Sequence, residues 1–139
     1  MNESIIFTLA RLLSCCLFAG SGLYQLFHRQ ETVKTMISRK VPFAAIAYWP
    51  IIGLDLVGTM LLVANQYVWA VALSWIAFTV VSTALYHFRI YTADGGFDNR
   101  EFLQVMKALS IIGGLLALIL LDPATPQWLL SRGLPARPA

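Results

Sequence analysis

The chain has 139 residues, 58% of them hydrophobic and only 12% charged, with a formal net charge of +3. That length holds one domain and no second catalytic module. A soluble domain carries about 25% charged residues, so this composition cannot cover a water-facing surface. A soluble enzyme, a disordered segment and a nucleic-acid-binding domain are excluded, because the basic residues lie between apolar blocks rather than in one patch.

Crossing about 30 Å of hydrocarbon takes about 20 helical residues, and four stretches reach that length. The first, residues 5–27, is broken only by Arg11. Residues 28–42 follow, carrying Arg29, Lys34, Arg39 and Lys40 with Val33, Met36 and Ile37 at helical spacing. They are expected to lie on the membrane surface as an amphipathic turn or short helix. The second span, residues 43–64, contains one acid, Asp55, and Pro50 is expected to kink it. Asn65-Gln66-Tyr67 is a tight connection, which makes the second and third spans antiparallel neighbours. The third span, residues 68–88, holds one titratable group, His87, in its last turn. In residues 91–100, Asp94-Gly95-Gly96 signals a turn. The fourth span, residues 102–121, has Lys107 near its start and Asp122-Pro123 as its stop signal. Strand alternation is absent, so the expected fold is all-α, a transmembrane four-helix bundle over residues 1–121. Residues 122–139 hold four of the six prolines and are expected to form an extended or loosely ordered tail. The layout around Leu12-Leu13-Ser14-Cys15 does not match a cleaved signal peptide, and the first span reads as retained.

Orientation follows from the basic residues. Arg29, Lys34, Arg39, Lys40, Arg89, Arg100 and Lys107 belong to the side of the first and third loops, against Arg132 and Arg137 on the other. The positive-inside rule puts both loops in the cytoplasm and both termini outside. Trp69 and Trp128 suit the outer interface, and Tyr24, Tyr86 and Tyr91 the inner one.

Charges within the hydrocarbon cost about 2.5–3.5 kcal/mol on insertion scales, so each needs a partner or a purpose. Counting rise per residue puts Arg11 and Asp55 at similar depths, about 10 and 12 Å below the outer surface. They are expected to pair across the first two spans. Two readings of that pair stand, a lock on helix register and a proton or ligand site. Arg11, Cys15, Phe18, Gly22 and Gln25 share one face of the first span, and Tyr48, Asp55, Thr59 and Leu62 one face of the second. A second polar group, Gln25, His87 and Lys107 with His28 nearby, gathers near the inner side. There Lys107 is expected to snorkel to the surface.

Other motifs carry little chemistry. Cys15 and Cys16 point about 100° apart and lack C-x-x-C spacing, so they read as small fillers. Asp94 and Asp98 miss the calcium-loop pattern. The small-residue stripes Ser110-x-x-x-Gly114 and Gly113-x-x-x-Ala117 read first as packing within the bundle, with a homodimer as the alternative. No metal-ligand cluster or evident cofactor motif is present. Two histidines at span ends make haem an unfavoured ligand.

The order of these elements resembles the DoxX family of small four-span bacterial membrane proteins. The resemblance rests on Arg11 and the Phe18-Ala19-Gly20-Ser21-Gly22-Leu23 stretch, then Thr32-Val33, Met36 and Val41-Pro42. It continues through Asp55 with Gly58, His87, and Asn99-Arg100-Glu101-Phe102 with Lys107 and Gly113-Gly114-Leu115-Leu116. Gln25 and Ala108 stand where relatives often carry Lys and Asn. The resemblance implies a bacterial cytoplasmic-membrane protein linked to redox chemistry, since the family's namesake is linked to a thiosulfate:quinone oxidoreductase. The expected role is an accessory or anchoring subunit, with Arg29, Lys34, Arg39 and Lys40 as docking surface for a redox enzyme or anionic lipid. The alternatives are an enzyme subunit binding quinone between the helices, and a small transporter or lipid-binding protein.

Overall fold

A computed structural model describes residues 5–87 and 97–130. Six helices are present among them: α1 (Ile5–Phe27), α2 (Arg29–Ser38), α3 (Ala44–Val63), α4 (Val68–Tyr86), α5 (Asn99–Leu121) and α6 (Gln127–Leu130). The Asp94-Gly95-Gly96 turn, Arg89, Tyr91, Arg132 and Arg137 lie outside the described residues.

Four helices, α1, α3, α4 and α5, are long and apolar enough to cross a membrane, and only 22–28% of each one's most apolar stretch is buried inside the protein. The remaining surface is dominated by Leu, Ile, Val, Phe and Met side chains, which water would not tolerate over such an area. Lipid is therefore the solvent of this fold. The helices close a ring in which α1 meets α3 and α5, and α4 meets α3 and α5. The closest pairs are α1/α3 and α4/α5, and the α3/α4 seam is looser. Asn65 and Tyr67 adopt left-handed backbone angles (φ 56° and 53°), turning the chain between α3 and α4 within a few residues.

The core sits where inward stripes meet. On α1 the buried positions are Phe7, Arg11, Cys15, Phe18 and Gly22; the last four belong to the face expected from their spacing, whose fifth member, Gln25, is partly buried. Phe18 stacks on Trp75 of α4 across the centre, with ring centroids 3.8 Å apart. Gly58 makes room for that indole, because a Cβ there would stand 3.1 Å from Trp75 Cζ2 and from Val71 Cγ1. α3 runs through Pro50 as one helix.

Helix ends depart from the apolar boundaries. α5 begins at Asn99, earlier than hydropathy indicates, because Asp98 caps it by accepting from the backbone N–H of Arg100 (2.9 Å) and Glu101 (3.2 Å). The start of the tail is packed rather than loose. Asp122 accepts from Trp69 N–H at 3.1 Å and Ala124 N–H at 2.9 Å, and Thr125 donates its hydroxyl to Ile119 O at 2.6 Å. Trp128 of α6 meets Trp69 edge-on at 6.5 Å, so both tryptophans share one end of the bundle, opposite α2.

The small-residue stripes do not pack inside the bundle. Ser110, Gly113, Gly114 and Ala117 are exposed, and a Cβ at Gly113 or Gly114 would meet nothing within 4 Å. Their face is turned outward because Ala108, Leu115, Leu118 and Ile119 form the buried side of α5.

Candidate functional site: a polar cavity at the α2 end

α2 lies across one end of the bundle. Its one buried residue is Met36, which packs with Ala44, Tyr48 and Ile52 of α3. Beneath it, between α1, α3 and α4, is a partly open cavity of about 390 Å³. Met36, Ile51 and Phe78 give it an apolar wall, and Gln25, Ser82 and His87 supply hydrogen-bonding groups. Apolar walls with a few converging polar groups are the usual make-up of a small-molecule site.

Gln25 connects this cavity to the most buried acid among the described residues. Its side-chain amide donates to Ser21 Oγ at 2.9 Å and reaches Asp55 Oδ2 at 3.5 Å, the outer limit of a hydrogen bond. Asp55 is 0% exposed, and its other oxygen, Oδ1, makes no hydrogen bond among the described residues. The Tyr48 hydroxyl donates to Gln25 O at 2.9 Å, tying α3 to the last turn of α1. Asp55 lies against Gly22, where an added Cβ would come within 3.0 Å of Asp55 Cβ. Glycine is thus what lets α1 approach the acid.

The rim of the cavity is held by a charged cluster that sequence reasoning passed over. Glu101, in the first turn of α5, takes His87 Nδ1 at 2.6 Å on one oxygen and Arg39 Nη2 at 3.3 Å on the other. Arg39 also donates through Nη1 to Tyr86 O at 2.7 Å. One carboxylate therefore joins α2, the end of α4 and the start of α5. The signal was available: Asp98-x-x-Glu101 is a helix-start pattern, which fixes Glu101 on the first turn, near His87 at the facing helix end.

Expected site residues fall into three groups. Gln25 and His87 line the same cavity, whereas Lys107 is exposed on α5, because Ala108 takes the inward position beside it. Arg11 and Asp55 are both buried, but they are not paired. Asp55 lies level with Gly22, eleven residues or about 16 Å further along α1 than Arg11. α3 starts well below the end of α1, so counting both depths from one common surface misplaces the acid. Arg11 instead lies over the Phe7 ring, 5.5 Å from its centroid. Of the docking cations, Lys34 and Lys40 are exposed. Arg39 is occupied as above, and Arg29 lies over the Trp49 and Tyr48 rings at 5.2 and 5.8 Å. Cys15 is buried and Cys16 exposed, and both are free thiols.

No curated protein and no solved structure matches the chain. The sequence model of the DoxX family matches residues 6–88, which takes in α1 to α4 with Gln25, Asp55 and His87 but stops before Glu101 and Lys107. The match spans more than half of the 139 residues, and with four apolar helices in a bundle it identifies a multi-pass membrane protein that belongs to the DoxX family.

Proposed function

We propose that this chain is an accessory subunit of a bacterial cytoplasmic-membrane redox system, and that its own contribution is to hold an apolar ring compound of the quinone class. One observation carries the reading: the cavity at the α2 end combines the apolar wall of Met36, Ile51 and Phe78 with Gln25, Ser82 and His87. A quinone ring presents the matching pattern of an apolar plane with oxygen acceptors at its edge. Both N–H groups of the Gln25 amide are engaged, one on Ser21 and one on Asp55 behind it, which fixes the amide's orientation and leaves its Oε1 to accept from a hydroxyl of the ring's reduced form. The rest of the redox chemistry falls to a partner. Lys34 on the exposed side of α2 and Lys40, exposed just past its end, suit an acidic partner surface, and their excess supports a cytoplasmic location for this end.

The test is to purify tagged protein from its native membrane in mild detergent, then identify bound proteins by mass spectrometry and bound lipids by solvent extraction. A redox enzyme in stoichiometric amount and a co-purified quinone are expected. A lone protein carrying only phospholipid overturns the proposal.

A further inference from the structure

The cavity accounts for a ring-sized head but not for the remainder of an apolar ligand. On α4, Tyr86, Ser82 and Phe78 wall the cavity. Ser74 and Val71, with Tyr67 just before the first turn, line a second recess of about 440 Å³ in the other half of the bundle. These six positions succeed one another at steps of three or four residues and so form one stripe along the helix. α3 behaves alike, with Ile51 in the cavity and Leu54, Gly58 and Leu61 in the recess. The two spaces therefore lie end to end along the α3/α4 seam, the looser of the seams between chain-adjacent long helices.

The recess is a groove on the outward side, since Val57, Tyr67 and Ser74 are exposed. Its walls are hydrocarbon apart from the Tyr67 ring and Ser74, whose hydroxyl is already bound to Ala70 O at 2.9 Å. A Cβ at Gly53 would meet nothing within 4 Å, so that position leaves a gap in the wall. A groove of this make-up within the membrane-spanning length accepts a hydrocarbon chain, and its place one turn beyond the cavity on both α3 and α4 assigns the chain to the cavity's ligand.

We infer that cavity and groove form one binding track for a long-tailed amphiphile, with the oxygen-bearing ring beneath α2 and an isoprenoid or alkyl tail along the α3/α4 seam. This rests on the quinone-class reading of the cavity. Lipid chains are as apolar as the groove, so the tail gains little from the hydrophobic effect. The groove acts on where the ligand lies rather than on how tightly it is held.

Position is accordingly what the experiment reads. The full chain in lipid nanodiscs is irradiated with two long-tailed quinone probes, one with its photoreactive group on the ring and one at the chain end, and labelled residues are located by mass spectrometry. Ring label on cavity residues such as Met36 and Tyr86, with chain-end label on Val57, Leu61 and Ser74, is the expected result. Gly53→Leu should fill the groove and abolish the chain-end label there while sparing the ring label, and Ser74→Leu, on the opposite wall, should do the same. Ring label in the cavity with chain-end label spread equally over the outward faces of α1 and α5 overturns the track and leaves the cavity reading standing. Ring label absent from the cavity overturns both.

Discussion

Gly22→Ala tests the closest contact between the cavity and its buried acid. The new methyl would stand 3.0 Å from Asp55 Cβ and 3.1 Å from Leu56 Cδ2. Leu56 can turn its side chain aside, but Asp55 Cβ is fixed to the α3 backbone, so the helices themselves must part. Overpacking of this kind costs about 1–3 kcal/mol, against which Ala recovers about 1 kcal/mol of helix propensity. Gly20→Ala is the control, because that Cβ meets nothing within 4 Å and only the propensity gain remains. The propensity term cancels between the two variants, leaving a difference of about 1–3 kcal/mol due to the contact alone. SDS titration in mixed micelles, followed by circular dichroism, measures it. Equal stability of the two variants would refute the close approach of α1 to Asp55, and with it the position of Gln25 at the cavity wall.

Asp55→Asn should be at least as stable as the wild type, because no described cation pairs with this buried carboxylate; the same titration showing a loss of about 3–5 kcal/mol would instead mean that a buried ion pair had been broken. In the quinone-probe assay, Asp55→Leu should weaken ring labelling of the cavity more than Asp55→Asn does, since only Asn retains an acceptor for Gln25, and equal labelling would count against that role. Glu101→Ala removes the shared partner of Arg39 and His87 and should speed amide hydrogen exchange in α2 about tenfold while leaving the inner turns of α1 and α3 unchanged, as a local loss of about 1.4 kcal/mol requires; uniform exchange across the protein would contradict a local latch. Asp122→Ala uncaps α4 and should cost about 0.5–2 kcal/mol in the titration, with a neutral result excluding the Trp69 N–H bond as a stabilising contact.

What the sequence made legible was rotation. Arg11, Cys15, Phe18 and Gly22 were readable as one face because a 3.6-residue period fixes azimuth from spacing alone, and they are the face buried in α1. Axial offset between helices is a different quantity. Nothing in the Arg11 and Asp55 positions reveals that α3 starts below the end of α1, so depth counts that shared one surface produced a pair that does not form. Lys107 illustrates a third limit: proximity to one membrane surface was readable, but not that Ala108 would take the inward position. The cluster at Glu101 was hidden because three separate segments supply it, and only the packing of α2 across the bundle end brings them together. Polar capping by Asp98 likewise extends α5 beyond what hydropathy marks.

The bond from Trp69 N–H to Asp122 joins residues 53 positions apart. Synthesis therefore delivers the opening turn of α4 long before the carboxylate that satisfies it. During insertion that amide must rely on water or lipid head groups, and the turn can reach its final form only when α5 has come into place beside it. The close pairing of α1 with α3 and of α4 with α5 makes the bundle two hairpins by construction. Asp122 is the clasp that shuts the second one, so a ribosome stalled before residue 122 would leave a first hairpin able to pack and a second that is still open.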